Sequence, residues 1–402
     1  MAVAKPPILT RPFLLVSLAS LAYFVADGTS LALVARFAQG PLHSDAFGAG
    51  LTFGAFSLSA LVLRPLAGGL ADRRGRRPLM VGGSLLFGAV MLAHLLAGSL
   101  LVLVVLRLLL GVAEALVFVA AFAAEADLSP AERRGEALTY FSLSLYAGIA
   151  VGPLIGEAAF DRGGFPAVWI ASAVVAGIAA LLALAAPETR PTEEPMPAGP
   201  ARLLHPAGIL PGLILMLGVW GMAGYFTLMP PFVVGPLGLD GARLFLLTFG
   251  GTVIAARVLG ARLPDRIGAR RLSGTALLIT AAGLGLMGLL PTVAGLLAGT
   301  LLLALGVAFT TPALASLTVS RAPVSERGAA VGTFSAFIDL AFGLGPIAMG
   351  AVAAASTTPI AFLSASAVAL LGAAILWRWL RDAAPDQAGE SPSARNASTS
   401  SS

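Results

Sequence analysis

Apolar runs of about twenty residues recur along the whole chain, separated by short segments where Arg, Asp, Glu, Pro and Gly concentrate. A run of that length crosses a hydrocarbon layer of about 30 Å as an α-helix. The pattern predicts twelve spans, at 12–37, 46–71, 78–98, 100–126, 136–160, 164–186, 208–233, 241–263, 271–290, 293–318, 328–353 and 358–380. One longer polar interruption, at 187–207, has the Pro and charge content of a linker between two sets of six. The expected organisation is an N-terminal six-helix bundle over 1–186, the linker, and a C-terminal bundle over 208–381. A polar, Ser-rich tail over 382–402 has the composition of disorder.

Composition turns this pattern into a fold class. Of 402 residues, 57% are hydrophobic and 11% charged, with a mean hydropathy of +0.91. Soluble domains carry about 25% charge and cannot bury so much apolar surface. The chain is expected to be an all-α, multi-pass membrane protein with the lipid bilayer as its solvent. A calculated pI of 10.4 would point to nucleic acid in a soluble protein. Here the arginines sit in short loops, where they set topology, so no nucleic-acid partner is expected. Of the 25 Lys and Arg residues, nineteen fall in the N-terminus, even-numbered loops and C-terminal segment. Three fall in odd-numbered loops (Arg36, Arg162, Arg243) and three inside spans. That bias predicts cytoplasmic termini and a cell-membrane location. Trp377 and Trp379, interleaved with Arg378 and Arg381, read as an interfacial anchor. The N-terminal run continues to about Phe37 without a small-residue cleavage site, so it reads as the first span rather than a signal peptide.

The halves repeat. A shift of 193 residues lays "RPLAGGLADRRGRR" (64–77) over "RVLGARLPDRIGAR" (257–270), with seven identities in fourteen positions. Arg64 falls on Arg257, Asp72 on Asp265, Arg73 on Arg266 and Gly75 on Gly268. The same shift superposes Pro130, Arg134, Gly135, Phe141 and Ser142 on Pro323, Arg327, Gly328, Phe334 and Ser335, and Gly152-Pro153 on Gly345-Pro346. Two six-span units of equal topology, related by an axis along the membrane normal, form a transporter arrangement.

Residues 68–80 resemble the signature loop of the Major Facilitator Superfamily, G-x-L-a-D-r-x-G-r-r-x-x-l. Gly68, Leu70, Ala71, Asp72, Arg73, Gly75, Arg76 and Arg77 match, with Met80 at the last apolar position. The loop lies between spans 2 and 3, where the family carries it, and its weaker copy lies between spans 8 and 9. The resemblance, with twelve spans in two halves, covers nearly the whole chain and implies a transporter, usually monomeric. Physically, Gly75 permits a tight reversal, and Gly68 permits close packing at the end of span 2. Asp72 is placed to face the positive N-terminus of a helix in the other half; the resemblance makes span 11 the candidate. Arg76 can reach back to Asp72 and on to Asp127 or Glu125, a triad that would latch the cytoplasmic gate. The bland alternative is that these arginines only mark topology.

Charges inside spans are functional candidates by default. Asp27 lies roughly 22 Å up span 1 at 1.5 Å per residue; Arg107 reaches a similar depth on span 4, so the two are expected to pair. Glu114 lies two turns further along the face of Arg107, which places three ionisable groups in one cavity. "RLLLG" (107–111) resembles the R-x-x-q-G signature of proton-coupled members, with Leu110 replacing glutamine. Gly148, Gly152, Pro153 and Gly156 in span 5 resemble the antiporter signature g-x-x-x-G-P-x-x-G-G, with Glu157 in place of the last glycine. Glycines four apart allow intimate helix contact and the proline a bend, both useful between moving halves. Arg64 and Arg257 lie about 12 Å deep by helical rise, suited either to an anionic substrate or to gating. Asp339 in span 11 is a candidate for cationic substrate, for a second proton, or for a static pair with Arg257. His94 reads as a packed polar residue.

Lys5 is the sole lysine, so no Walker A motor exists and no cofactor is implied. Energy must come from an ion or substrate gradient or from the membrane potential, worth ~2.3 kcal/mol per charge per 100 mV. The expected partners are a small-molecule substrate and protons. Proton-coupled export of small, largely apolar molecules is the first expectation, served by Phe and Met surfaces such as "GYFTLMPPF" (224–232). Import of a metabolite or organic anion through Arg64, Arg107 and Arg257 is the second. A membrane-embedded enzyme is disfavoured: there is no catalytic H-E-x-x-H or G-x-S-x-G motif, no metal cluster and no cysteine.

Overall fold

The computed structural model describes residues 8–130, 134–189, 204–260, 263–323 and 326–379. The middle of the expected linker (190–203), the expected tail, Arg381 and the side chains of Asp265, Arg327 and Gly328 lie outside the described residues.

Helices α1 (Arg11–Leu31) and α2 (Leu33–Gln39) make the first span, interrupted at Ala32. They are followed by α3 (Ala46–Arg74), α4 (Arg76–Ala93), α5 (Leu100–Asp127) and α6 (Arg134–Ala185). The second half contains α7 (Pro206–Val234), α8 (Arg243–Leu259) and the short α9 (Leu263–Ile267), then α10 (Ala269–Leu289), α11 (Val293–Arg321), α12 (Arg327–Ala355) and α13 (Thr358–Trp379). Among the described residues, ten helical segments are long and apolar enough to cross a membrane. One of them holds spans 5 and 6, because the backbone leaves helical geometry at Gly163 and Gly164, the latter at φ +61. Ala26 O accepts from Ser172 while Gly28 faces Gly148, so the two arms of α6 lie side by side and run antiparallel. The 17-residue α8 is shorter than expected, its span ending at Leu259 rather than 263. With these two cases resolved, the described residues make twelve passes. Leu101, Leu181 and Leu289 are about 70% exposed on outer faces, a surface made for lipid rather than water.

Within each half the helices approach through glycine. A Cβ on Gly152 would lie 2.5 Å from the carbonyl carbon of Gly28, and one on Gly156 would fall on the carbonyl of Thr29. In the second half a Cβ on Gly345 would lie 3.0 Å from the carbonyl oxygen of Trp220 on α7. The glycines of span 5 therefore join α6 to α1 of their own half. This corrects the expectation that they lie between the moving halves: α6 instead meets α8 through Ala150, which lies against Gly250.

The two ends of the molecule are distinguished by charge. The signature loop and its copy lie at one end, called here the basic end; Gly40, Gly163 and Gly235 lie at the other, the far end. At the far end α3 and α12 are in backbone contact, with Gly50 against Pro346, Gly54 against Gly343, and Gly350 against Ala46. Toward the basic end the same faces part. A Cβ at Gly69 or Gly332 would meet nothing within 4 Å, and one at Gly68 only Val119 of its own half. The close packing expected at Gly68 is thus absent among the described residues.

Candidate functional site

Between the halves lies a cavity of about 170 Å3. Six phenylalanines line it (Phe24, Phe53, Phe56, Phe118, Phe226, Phe342), together with Asp27, Arg64, Arg107, Glu114 and Asp339. Five ionisable groups meeting in an apolar chamber must neutralise one another or exchange charge with a ligand.

Arg64 sits at the centre. One guanidinium nitrogen pairs with Asp339 of α12, and the other lies 3.5 Å from Glu114 of α5. Its plane packs on the ring of Phe118, 4.1 Å from the centroid. The residue expected near a gate thus bridges the halves inside the cavity. Of the alternatives open for Asp339, a static pair with Arg257 is replaced by the pair with Arg64. Arg64 precedes Pro65, and a proline inside the helix removes a backbone hydrogen bond one turn back.

The expected Asp27–Arg107 ion pair is not formed, although both side chains line the cavity. Arg107 instead donates from Nε to the carbonyl of Thr52 at 3.2 Å and lies over Phe56. Its Nη1 is buried without a hydrogen-bond partner. Gly111 explains this choice. A Cβ there would fall on the backbone of Phe56 and Ala60, so the glycine lets α5 press against α3 and presents Arg107 to Thr52. Leu110, in place of the signature glutamine, is fully buried. The ionisable set is asymmetric between the halves: the shift of 193 carries Asp27, Arg107 and Glu114 to Trp220, Thr300 and Val307.

At the basic end, Arg76 is buried and lies 3.0 Å from Asp72 and 3.3 Å from Asp127. The expected triad is assembled with Asp127. Glu125 is instead fully buried and accepts from Ser17 at 2.9 Å. Asp72 answers Arg76 rather than the other half in this conformation, and half of its side chain is exposed. Gly75 reverses the chain at φ +98, and Gly268 does the same in the repeat at φ +85. Glu188 belongs to no motif in the sequence. From the end of span 6 it accepts the backbone N–H of Arg76 at 2.8 Å, occupying the free N-terminus of α4. Arg73 and Arg266 are exposed; Arg257 is half-buried near the end of α8. His94 is buried, bonds the Val90 carbonyl at 2.8 Å and packs on Trp169, a structural placement. Arg270 packs on Trp377 and donates to its carbonyl, which fastens the aromatic end of α13.

A twelve-pass bundle with repeated loops and a cavity between its halves has the architecture of a transporter, and the sequence matches the Major Facilitator Superfamily over residues 15–263 and 244–401. The chain belongs to the Major Facilitator Superfamily. An uncharacterised MFS-type transporter of Salmonella typhimurium is 29% identical, over 91% of this chain and 96% of that protein. A bacterial homologue of the human lysosomal transporter Spinster, solved inward-facing and occupied, shares the fold with a TM-score of 0.78 at 15% identity, over 93% of this chain and 97% of that one. The human organic anion transporter MFSD10 (TETRAN) superposes with a TM-score of 0.70 at 21% identity, over 92% and 100%. The chain is thus a multi-pass membrane transporter of the superfamily, and not an enzyme.

Proposed function

We propose that this protein is a secondary transporter that rocks its two halves about the central cavity and exports small, largely apolar or drug-like molecules in exchange for protons. The observation that carries the proposal is the charge inventory: three carboxylates share two arginines in the cavity. With all five groups ionised, one negative charge is left over, and it stands in an apolar chamber where unpaired charge is costly. A proton on one carboxylate neutralises the set. Arg64, divided between Glu114 and Asp339, is the group whose allegiance that proton would change. Because Asp339 belongs to the other half, a change of partner is felt as a change in the attraction between halves. The six phenylalanines favour an apolar cargo.

The arginine bias assigns the basic end to the cytoplasm, with both termini there. The present conformation is then open inward. Its relatives in bacteria suit an inner-membrane location. In this reading 1–186 and 208–381 move as two bodies joined by the linker, within a monomer. Gly68, Asp72, Arg73, Gly75, Arg76 and Asp127 form the cytoplasmic gate with Arg257, Asp265, Arg266 and Gly268 of the repeat; Gly148, Gly152, Pro153 and Gly156 stiffen the α1–α6 contact.

One observation favours a second reading, transport of a small organic anion. The Nη1 of Arg107 is a buried donor without a partner, which an acidic substrate would satisfy; the related fold of a human organic anion transporter agrees with it. Proteoliposomes separate the two. If ethidium moves against an imposed pH gradient and Asp27→Asn/Glu114→Gln abolishes that movement, the exporter reading stands; unaltered movement in the variant refutes it. Benzoate counterflow that is lost in Arg107→Ala would establish the second reading.

A further inference from the structure

The antiporter signature fails at one position, Glu157, and the structure gives that residue a job. We infer that Glu157 latches the far end shut by capping the N-terminus of α8 from the opposite half. The inference rests on the rocking of the halves and is independent of cargo and coupling ion.

Glu157 is 2% exposed, near the far end of the first arm of α6. It lies 3.4 Å from Arg36 of its own half, whose guanidinium covers the ring of Phe160. Across the interface its carboxylate lies beside the N-terminus of α8, sharing one pocket with Gly241 and Arg243. Ala242 is the N-cap residue of α8 and has no side chain with which to cap it. The first N–H groups of a helix have no partner inside the helix and favour negative charge. At other helices a local side chain does this: Asp45 accepts from Gly48 at 2.8 Å at the start of α3, and Ser99 and Thr292 serve α5 and α11, while α10 and α12 have no side-chain cap. In α8 the cap comes from the other half. Gly241 makes room for it, since a Cβ there would lie 2.8 Å from the Glu157 carboxylate. One turn beyond, Asp161 forms an ion pair with Arg243, the first residue of α8.

The repeat makes the same point by contrast. The shift of 193 carries Glu157 to Gly350, where the facing helix α3 comes against bare backbone at Ala46. The far end is thus closed on one side by glycine packing and on the other by a carboxylate seated on a helix terminus. To open this end the protein must pull Glu157 from α8 and leave that helix uncapped.

An alternative is that Glu157 serves only to neutralise Arg36. Two variants tell these apart. Because the chain has no cysteine, spin labels at Arg162→Cys and Ser356→Cys report the distance between halves at the far end in full-length protein in nanodiscs. Glu157→Gln keeps the shape and removes the charge; it should add a longer distance, with the open-to-closed ratio rising about tenfold, or about 1.4 kcal/mol. Arg36→Gln/Glu157→Gln leaves no unpaired buried charge, and should retain the longer distance. Distances that return to wild type in the double variant, or that never change in the single one, overturn the latch. Gly350→Leu forces a side chain into the Ala46 backbone and should open this end by an independent route. If even that variant leaves the distance fixed, the halves do not rock and the latch falls with them.

Discussion

Arg64 on α3 of the first half forms an ion pair with Asp339 on α12 of the second, and the same guanidinium lies 3.5 Å from Glu114. One side chain thus serves a carboxylate in its own half and another across the cavity. Any event that changes the charge of either carboxylate changes what holds the halves together.

Removal of Arg64 should therefore be more damaging than removal of its partners. Arg64→Ala leaves two buried carboxylates without their cation, and breaking such a pair costs about 3–5 kcal/mol unless the acids take up protons. We expect a lower melting temperature and no gradient-driven transport. Arg64→Ala/Glu114→Gln/Asp339→Asn should recover the melting temperature but not transport. Differential scanning fluorimetry and ethidium flux in proteoliposomes read the two effects.

The pH dependence has a definite sign. With the basic end facing the cytoplasm, export should accelerate as the far side is acidified, because protons enter the cavity from there when it opens. Asp27→Asn/Glu114→Gln should make the rate flat over pH 6–8 (a window of roughly two units around neutrality), while energy-independent exchange persists. A stopped-flow series of external pH jumps tests both.

Helix contacts through glycine give a contrast within one chain. Gly152→Ala places a methyl group 2.6 Å from the Cα of Gly28, and overpacking of this kind costs about 1–3 kcal/mol. Gly251→Ala, inside α8, meets nothing within 4 Å and should stabilise by about 0.5–1 kcal/mol through helix propensity. Thermal unfolding of the two variants should separate them clearly.

Gly75→Ala should weaken the signature loop, since φ +98 with ψ 163 suits glycine alone and costs another residue about 1–3 kcal/mol. Its methyl group would also collide with the Glu188 carboxylate at the N-terminus of α4. Glu188→Gln, which keeps an acceptor there, should be milder. The same thermal assay orders the variants as wild type, Glu188→Gln, Gly75→Ala.

Much of the fold was readable because lipid imposes a simple rule: each pass needs its own apolar run. The repeat and the Arg76 triad were also legible, because both follow from spacing along single segments. The pairing in the cavity was not. Asp27 and Arg107 share a depth, but depth does not determine which helix face meets which neighbour; Gly111 directs Arg107 to Thr52. For Asp339 the sequence leaves three alternatives open, a pair with Arg257 among them, and the tight far-end contact of α3 with α12 brings Arg64 to it instead. Glu188 acts through backbone N–H groups of a remote segment, and Glu157 lies beside the start of a helix in the other half; a sequence gives no sign of such partners.

Proton-driven rocking is decided by one comparison, ethidium accumulation in proteoliposomes under an imposed pH gradient, for wild type and Asp339→Asn. We predict uphill movement in the wild type and only downhill equilibration in the variant, with ethidium binding retained. Equal uphill movement in both proteins, or none in the wild type at any gradient, would contradict it.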